Sequence, residues 1–145
     1  MLICPAAPTD AKAIRALLCV ELLETDPTSP DDAKIDILRI DAALARTDAD
    51  ILWLVANQGG LVVGTCMVAL SHLADDIWEI GNLAVTSTRR RQGLGAALVA
   101  ACEQYAAGLG GGTIMLATAE PKFYQRLDYR EIRGTGGLMV KQLRA

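Results

Sequence analysis

Hydrophobic and polar residues follow two different periods along the chain, and the change of period predicts where helices give way to strands. Residues 2–4 form a short apolar run that Pro5 and Pro8 close, which is typical of an edge strand. Apolar residues then recur every three to four positions from residue 13 to residue 22, so an amphipathic helix is predicted from about residue 10 to residue 23. A second helix is predicted to begin after Ser29, with Pro30 in its first turn, and to continue to about residue 45.

From residue 51 onward the pattern is that of strands. Residues 51–55 and 61–68 are β-rich runs, and the segment Asn57-Gln58-Gly59-Gly60 between them predicts a hairpin. Residues 77–85 add a third strand, and residues 93–107 form an amphipathic helix that the glycines at 108 and 110–112 end. A strand at 113–117, a short helix around 121–127, and strands near 129–132 and 137–143 complete the chain.

The predicted order of elements is β-α-α-β-β-β-α-β-α-β-β, and no repeat, low-complexity tract or linker interrupts it. This order predicts an α/β (α+β) fold, with one domain over residues 1–145 around a mixed sheet. A chain of 145 residues with 52% hydrophobic residues can bury one core and is too apolar to be disordered. The longest candidate, residues 51–73, is interrupted by Asn57-Gln58-Gly59-Gly60, so no apolar run reaches the roughly 18 residues of a membrane span. The first residues also lack the pattern of a secretory signal, so we expect a cytoplasmic protein without membrane contact.

The cysteines carry little sign of chemistry. Cys4, Cys19, Cys66 and Cys102 lie far apart and include no C-x-x-C pair. The sequence therefore predicts buried thiols, no metal site and no cysteine nucleophile.

Charge is distributed unevenly along the chain. The formal net charge is −3, but residues 1–76 hold 5 basic and 12 acidic residues, whereas residues 77–145 hold 9 basic and 5 acidic residues. The overall sign argues against a protein that coats nucleic acid, and the asymmetry indicates two different ligands.

The segment from residue 77 to residue 98 carries the strongest chemical signal. A strand leads into a loop with three arginines, then into a turn with Gly93 and Gly95, then into a helix. Unpaired N–H groups at a helix start, next to glycines, favour a bound phosphate. Neither common nucleotide motif fits: a P-loop requires Lys-Ser or Lys-Thr after its last glycine, where this chain has Ala96, and a dinucleotide fingerprint requires glycine where it has Leu98.

The phosphate-binding motif that the sequence does contain is Arg90-x-x-Gly93-x-Gly95. It is preceded by the strand end at residues 83–85 and followed by residues 123–129. This combination resembles the acetyl-CoA-binding motif of the GNAT superfamily of N-acetyltransferases, and the resemblance covers nearly the whole chain in element order. It implies a mostly antiparallel sheet splayed open at the cofactor cleft. It also implies that acetyl-CoA is the cofactor and that the acetyl group passes directly to a primary amine in a ternary complex.

The resemblance also assigns residues. Backbone N–H groups of residues 91–96 would hold the pyrophosphate, residues 83–85 would pair with the pantetheine arm, and the N–H of Leu83 would polarise the thioester carbonyl. The implied cofactor-binding residues are Leu83, Ala84, Val85, Arg90, Arg91, Gln92, Gly93, Leu94, Gly95 and Ala96.

Two side chains match proton-transfer positions of the superfamily. Tyr124 matches the tyrosine that protonates the leaving thiolate, although a tyrosine there is also a natural core residue. Glu79 matches a general base, and strand alternation predicts that Glu79, Gly81 and Leu83 share one face, with Gly81 leaving room for the carboxylate. A glutamate near a strand start can equally face solvent, and the lone His72 in a turn is a weaker candidate for the base.

The chain departs from the superfamily pattern at two places. Asp128 replaces the usual glycine of a Gly-Phe pair, and we expect it to adopt the left-handed conformation that asparagine and aspartate tolerate best. Just past the fifth strand, residues 117–121 lack the asparagine that many members use to contact the cofactor.

The acceptor is less defined. The resemblance implies that the acceptor is a small-molecule or peptide amine. Six carboxylates in and after the first predicted helix either attract a cationic amine or simply form a solvated surface. They are Glu21, Glu24, Asp26, Asp31, Asp32 and Asp36. The alternatives are a non-catalytic acyl-CoA-binding or regulatory module of the same fold and a small nucleic-acid-binding domain, against which the acidic first half argues. Members of the superfamily often dimerise through late strands, so the resemblance also allows a homodimer.

Overall fold

A seven-stranded mixed sheet forms the centre of the computed structural model, which describes residues 2–21, 40, 42–45 and 48–143. The elements in chain order are β1 (Leu2–Pro5), α1 (Ala11–Glu21), β2 (Ile51–Gln58), β3 (Leu61–Leu70), β4 (Ile77–Val85), α2 (Leu94–Gly108), β5 (Thr113–Ala117), α3 (Pro121–Gln125), β6 (Arg130–Glu131) and β7 (Leu138–Gln142). Short 3-10 turns at Pro8–Asp10 and Ser87–Arg89 precede α1 and α2. The predicted elements are therefore confirmed, except that most of the second predicted helix lies outside the described residues; residues 42–45 are helical.

The strands lie in the order β1-β2-β3-β4-β5-β7-β6. Every neighbouring pair is antiparallel except β4 and β5, which run parallel, so the predicted mixed and mostly antiparallel sheet is confirmed. The predicted hairpin joins β2 to β3 through Gly59 and Gly60, both at positive φ, as tight hairpin turns require.

Two hydrophobic layers cover the sheet. On one face, Leu98 and Cys102 of α2 pack against Val68, Ile80 and Ile114. On the other face, Ile14, Leu17 and Leu18 of α1 pack against Trp53 and Val55. Burying one such aliphatic side chain contributes roughly 1.5–3 kcal/mol, so each helix is fixed by its apolar stripe rather than by its length.

The described helices are also short. The longest is α2 with 15 residues. Among the described residues, no helix has the length and apolar character needed to cross a membrane.

Candidate active site

The sheet opens between its two parallel strands. Residues Ile77, Trp78 and Glu79 of β4 pair with Thr113, Ile114 and Met115 of β5, and the pairing ends there. Beyond that point β4 continues to Val85 beside β3 alone, while β5 continues to Ala117 beside β7. The edges of β4 and β5 therefore part, as the sequence resemblance predicted, and a gap opens in the middle of the sheet.

A β-bulge shapes the β4 side of this gap. Thr65 of β3 pairs with Ala84, whereas Met67 pairs with Gly81, so Asn82 and Leu83 together lie opposite the single residue Cys66. Asn82 has a φ of 55°, which asparagine tolerates better than most residues with a side chain.

The bulge corrects one prediction. Glu79, Gly81 and Leu83 do not share a face, because Leu83 packs against the cluster of Trp78 and Ile80 on the α2 side of the sheet. Strand alternation places Glu79 on the opposite face from Trp78 and Ile80. Because the bulge inserts one extra residue into β4, the residues after it face the side opposite to the one that simple strand alternation predicts.

Glu79 borders a cavity of about 360 Å³ on the α1 side of the gap. The cavity is lined by Met67, Ala69, Glu79, Ile80, Gly81, Leu116, Ala117 and Leu138. The carboxylate of Glu79 is exposed, and a Cβ on Gly81 would make an ordinary contact with Met67 Cε at 3.6 Å.

A second, larger cavity of about 610 Å³ adjoins the first and shares Ala117 and Leu138 with it. Its other lining residues are Thr118, Ala119, Thr135, Gly136 and Gly137. The side chains that line this cavity are uncharged, and most of them are small. Thr118 and Ala119 follow β5, in the segment that lacks the asparagine of the superfamily.

Tyr124 lies on the other face, in α3. Its ring is buried and packs edge-on to Phe123 at 4.9 Å and to Tyr129 at 5.6 Å between ring centroids. Burial, with smaller effects of Cys66, Cys102 and Glu120, raises the pKa of the Tyr124 phenol well above its usual value. The phenol therefore keeps its proton at physiological pH and can serve only as a donor of that proton.

The loop after α3 confirms the expectation for Asp128. Asp128 has a φ of 71°, in the left-handed region. The chain then enters β6 after Tyr129, whose hydroxyl donates a hydrogen bond of 2.6 Å to Glu103 Oε2. Lys141 Nζ lies 3.1 Å from Glu103 Oε1, so this carboxylate joins α2 to both the loop and β7.

The thiols are positioned for packing rather than attack. Cys19, Cys66 and Cys102 are buried and Cys4 is partly buried, in agreement with the prediction. A hydrogen bond to the Cys102 thiol, followed by burial, raises the pKa of Cys66 well above its usual value. A thiol held protonated in this way is a poor nucleophile.

The glycine turn leads directly into α2. Gly93 has a φ of 78° and precedes the helix, and Arg91 is also left-handed with a φ of 65°. The N–H of Ala97 donates to the carbonyl of Gly93 at 3.0 Å, so the N–H groups of the preceding helical residues have no acceptor one turn earlier in the helix. Those residues are Leu94, Gly95 and Ala96.

The arginines before this turn differ in their surroundings. Arg91 is exposed, whereas Arg90 donates through Nη2 to Glu21 Oε2 at 2.8 Å. Of the six carboxylates considered for the acceptor side, Glu21 alone lies among the described residues, and it contacts this loop instead. His72 is exposed in the turn after β3 and lines neither cavity.

The sequence did not predict the left-handed backbone of Asn82 or the contact of Glu21 with the loop after β4. Asn82 offered a signal, because an asparagine inside an apolar strand is a natural site for a left-handed residue. Glu21 offered none, because its contact spans 66 to 69 residues along the chain.

Comparison with known proteins places these features in a wider group. The sequence profile described as the acetyltransferase (GNAT) family matches residues 11–129. No curated protein sequence matches the chain.

Several solved structures share the fold. An aminoglycoside 6'-N-acetyltransferase from Enterococcus faecium is 18% identical with a TM-score of 0.79, over 100% of this chain and 98% of the other. The GNAT family N-acetyltransferase YhbS from Escherichia coli, in complex with CoA, is 25% identical with a TM-score of 0.74, over 99% and 81%. Rv2747 from Mycobacterium tuberculosis, also in complex with CoA, is 27% identical with a TM-score of 0.70, over 93% and 75%.

Proposed function

Because the chain belongs to the GNAT family of acetyltransferases, we propose that it transfers the acetyl group of acetyl-CoA to a primary amine by direct attack in a ternary complex. The observation that carries this proposal is the parting of β4 from β5 beyond Glu79 and Met115. Glu79 presents an exposed carboxylate at the gap, and Tyr124 holds a buried phenol in the cluster on the α2 face of the sheet; these are the two kinds of proton-transfer group that the reaction needs.

The start of α2 fits a pyrophosphate. The N–H groups of Leu94, Gly95 and Ala96 precede the first hydrogen bond within the helix, and a helix N-terminus favours an anion. At the left-handed Gly93 nothing lies within 4 Å of the position of a Cβ, so a ligand can approach the backbone there, whereas the Cβ position of Gly95 faces Phe123. The exposed Arg91 adds positive charge to the segment before the helix, which also contains Arg90 and Gln92. YhbS and Rv2747, the relatives at 25% and 27% identity, were both solved with CoA, which supports the same cofactor here.

The unpaired edge of β4 fits the pantetheine arm. Residues 80–85 run beyond the last pair with β5, so Leu83, Ala84 and Val85 can offer main-chain hydrogen bonds to the amides of an extended ligand. Leu83 has no Cα partner in the register with β3, which supports a role for its N–H outside the ladder. That N–H is assigned to the carbonyl oxygen that gains negative charge during attack.

The side chains supply the proton movements. Acetyl-CoA, when bound, provides a thioester whose acetyl carbon is open to an amine. Glu79 accepts the proton that the ammonium must lose, directly or through water, from its exposed position on the cavity wall. Tyr124 donates a proton to the sulfur as it leaves, because a phenol carries its proton at neutral pH.

The proposed acceptor is a small-molecule or peptide amine that enters from the α1 side. The cavity at Glu79 has one carboxylate among its lining residues, which attracts a single ammonium group. The Enterococcus faecium relative acts on aminoglycosides, but at 18% identity it supports the fold alone.

The test is an assay of CoA release over a panel of amines. Purified protein is incubated with acetyl-CoA and a polyamine, an aminoglycoside or a lysine-containing peptide, with a reaction lacking amine as the control. We expect free thiol to appear only with amine, together with an amine heavier by one acetyl group. Binding of acetyl-CoA with no transfer to any amine and no hydrolysis would contradict the proposal and favour a non-catalytic acyl-CoA-binding module.

A further inference from the structure

The carboxylate at the end of α1 holds the loop that leads to the glycine turn. Glu21 Oε1 accepts a hydrogen bond of 3.2 Å from the N–H of Ser87, and Glu21 Oε2 accepts one of 2.8 Å from Arg90 Nη2. The Glu21 side chain is only 11% exposed, whereas that of Arg90 is 56% exposed. One carboxylate therefore fixes two points of the loop, one on the backbone and one on a side chain.

The held segment comes immediately before a strained stretch of backbone. Arg90 is extended, with φ −69° and ψ 158°, and Arg91 turns to a φ of 65° before Gly93 reaches 78°. A left-handed conformation costs a residue with a side chain about 1 kcal/mol or more, and it persists only where neighbouring contacts fix it. The contacts of Glu21 lie at the start of this stretch and are long-range, so they can fix a conformation that local sequence disfavours.

We propose that Glu21 and Arg90 form a latch that sets the shape of the cofactor loop, and that both are positioning residues rather than ligands of the cofactor. The inference rests on the proposed use of acetyl-CoA. In this arrangement the guanidinium of Arg90 is committed to Glu21, and it also neutralises a carboxylate that would otherwise repel a pyrophosphate at the start of α2. The backbone N–H groups and Arg91 bind the anion, and the latch keeps them in place.

The latch has a thermodynamic signature that direct contact lacks. If Arg90 acts only through Glu21, its loss has no further effect once Glu21 is absent, so the two losses are not multiplied in the double variant. If Arg90 binds the pyrophosphate itself, Arg90→Ala and Glu21→Ala act independently and their effects multiply.

The experiment measures the Kd of acetyl-CoA by isothermal titration for the unsubstituted protein, Glu21→Ala, Arg90→Ala and the double variant. We expect Glu21→Ala to weaken binding by about three- to tenfold, in line with a partly exposed charge-assisted pair. Arg90→Ala loses at least as much, because it leaves Glu21 uncompensated beside the loop, and the double variant binds no more weakly than Arg90→Ala. Asp10→Ala is the matched control, since it removes a carboxylate–backbone hydrogen bond at the opposite end of α1 and should leave the Kd unchanged.

A shortened substrate separates a latch from a general loss of structure. S-acetylpantetheine lacks the pyrophosphate, so Glu21→Ala should raise the KM for acetyl-CoA while leaving the KM for S-acetylpantetheine and the kcat for both unchanged. Glu21→Gln keeps the size of the side chain and should give a smaller loss in the same direction.

Three results would overturn the latch: unchanged binding by Glu21→Ala, multiplied losses in the double variant, or equal loss with S-acetylpantetheine. Failure of the unsubstituted protein to bind acetyl-CoA would instead overturn the proposed function.

Discussion

The ring of Phe123 closes over the first turn of α2, with its Cζ 3.1 Å from the position that a Cβ on Gly95 would occupy. Leu83 Cδ2 lies 4.0 Å from the same point. The helix start, the short helix α3 and the bulged end of β4 therefore meet at one residue that has no side chain. Any side chain at residue 95 must therefore displace the Phe123 ring, at the helix start that is proposed to bind the pyrophosphate.

Gly95→Glu should abolish acetyl-CoA binding, because it places bulk and negative charge at the N-terminus of α2. The measurement is calorimetric titration with acetyl-CoA. Gly108→Glu is the control, since it makes the same change in charge at the far end of the helix, where a Cβ meets nothing within 4 Å. Equal affinities of the two variants would show that the cofactor does not bind at this helix start.

The left-handed backbone conformation at residue 82 should be required for the shape of the gap. Asn82→Gly can keep a φ of 55° without strain, so both stability and acetyl-CoA affinity should stay close to those of the unsubstituted protein. Asn82→Val should lower the free energy of unfolding by about 1–3 kcal/mol and weaken acetyl-CoA binding, because a β-branched residue disfavours this conformation. Urea unfolding and titration measure the two effects. If the valine variant binds as tightly as the glycine variant, the bulge does not shape the cofactor cleft.

Local pattern predicted what depends on local chemistry. The turn at Gly59 and Gly60, the helix start at Gly93 and the left-handed Asp128 all follow from residues that suit special backbone angles. The parting of the strands was predicted only through the family resemblance.

Contacts between distant segments were beyond reach. Strand alternation predicted that Leu83 and Glu79 share a face, because a two-residue period does not reveal a β-bulge. The bulge at Asn82 and Leu83 puts Leu83 on the opposite face of the sheet. The hydrogen bonds that Glu21 accepts from Ser87 and that Glu103 accepts from Tyr129 join segments that only the folded sheet brings together.

Tyr124→Phe should slow turnover while leaving acetyl-CoA affinity nearly unchanged. The phenyl ring keeps its packing against Phe123 and Tyr129, and the loss of a general acid costs on the order of a hundredfold in kcat. Because burial raises the pKa of Tyr124, the unsubstituted enzyme should show no fall in kcat from this residue up to about pH 10, where a free tyrosine is half ionised. Steady-state kinetics over pH measures both effects, and an unchanged kcat in the variant would remove Tyr124 from the acid role.

Glu79→Gln should lower kcat/KM for the amine by on the order of a hundredfold, because the amide cannot accept the proton of the ammonium. Acetyl-CoA affinity should be unchanged, since Glu79 lies on the face of the sheet opposite α2. Glu131→Gln, an exposed glutamate in β6, is the control for loss of one negative charge. If the two variants are equally active, Glu79 is not the base.

Tyr129→Phe should destabilise the fold by about 1 kcal/mol, because it removes the hydroxyl that donates to Glu103. Burial, followed by the hydrogen bond and negative charge of Glu103, raises the pKa of Tyr129 above its usual value. The associated stability is therefore fully present below the unfolded pKa of about 10 and is lost as the pH rises above it.

Urea unfolding between neutral pH and pH 11 tests the sign of this dependence. The free energy of unfolding of the unsubstituted protein should fall more steeply above about pH 10 than that of Tyr129→Phe, so the two values converge. Parallel dependences on pH would mean that folding does not change the pKa of the Tyr129 hydroxyl.

The most direct test of the central claim is calorimetric titration of the unsubstituted protein with acetyl-CoA, because every role assigned here depends on that cofactor lying in the gap between β4 and β5. We expect saturable binding at one site per chain, with a Kd in the range of tens of micromolar or tighter, which corresponds to a binding free energy of about −6 kcal/mol or more favourable. No binding at such concentrations would contradict it.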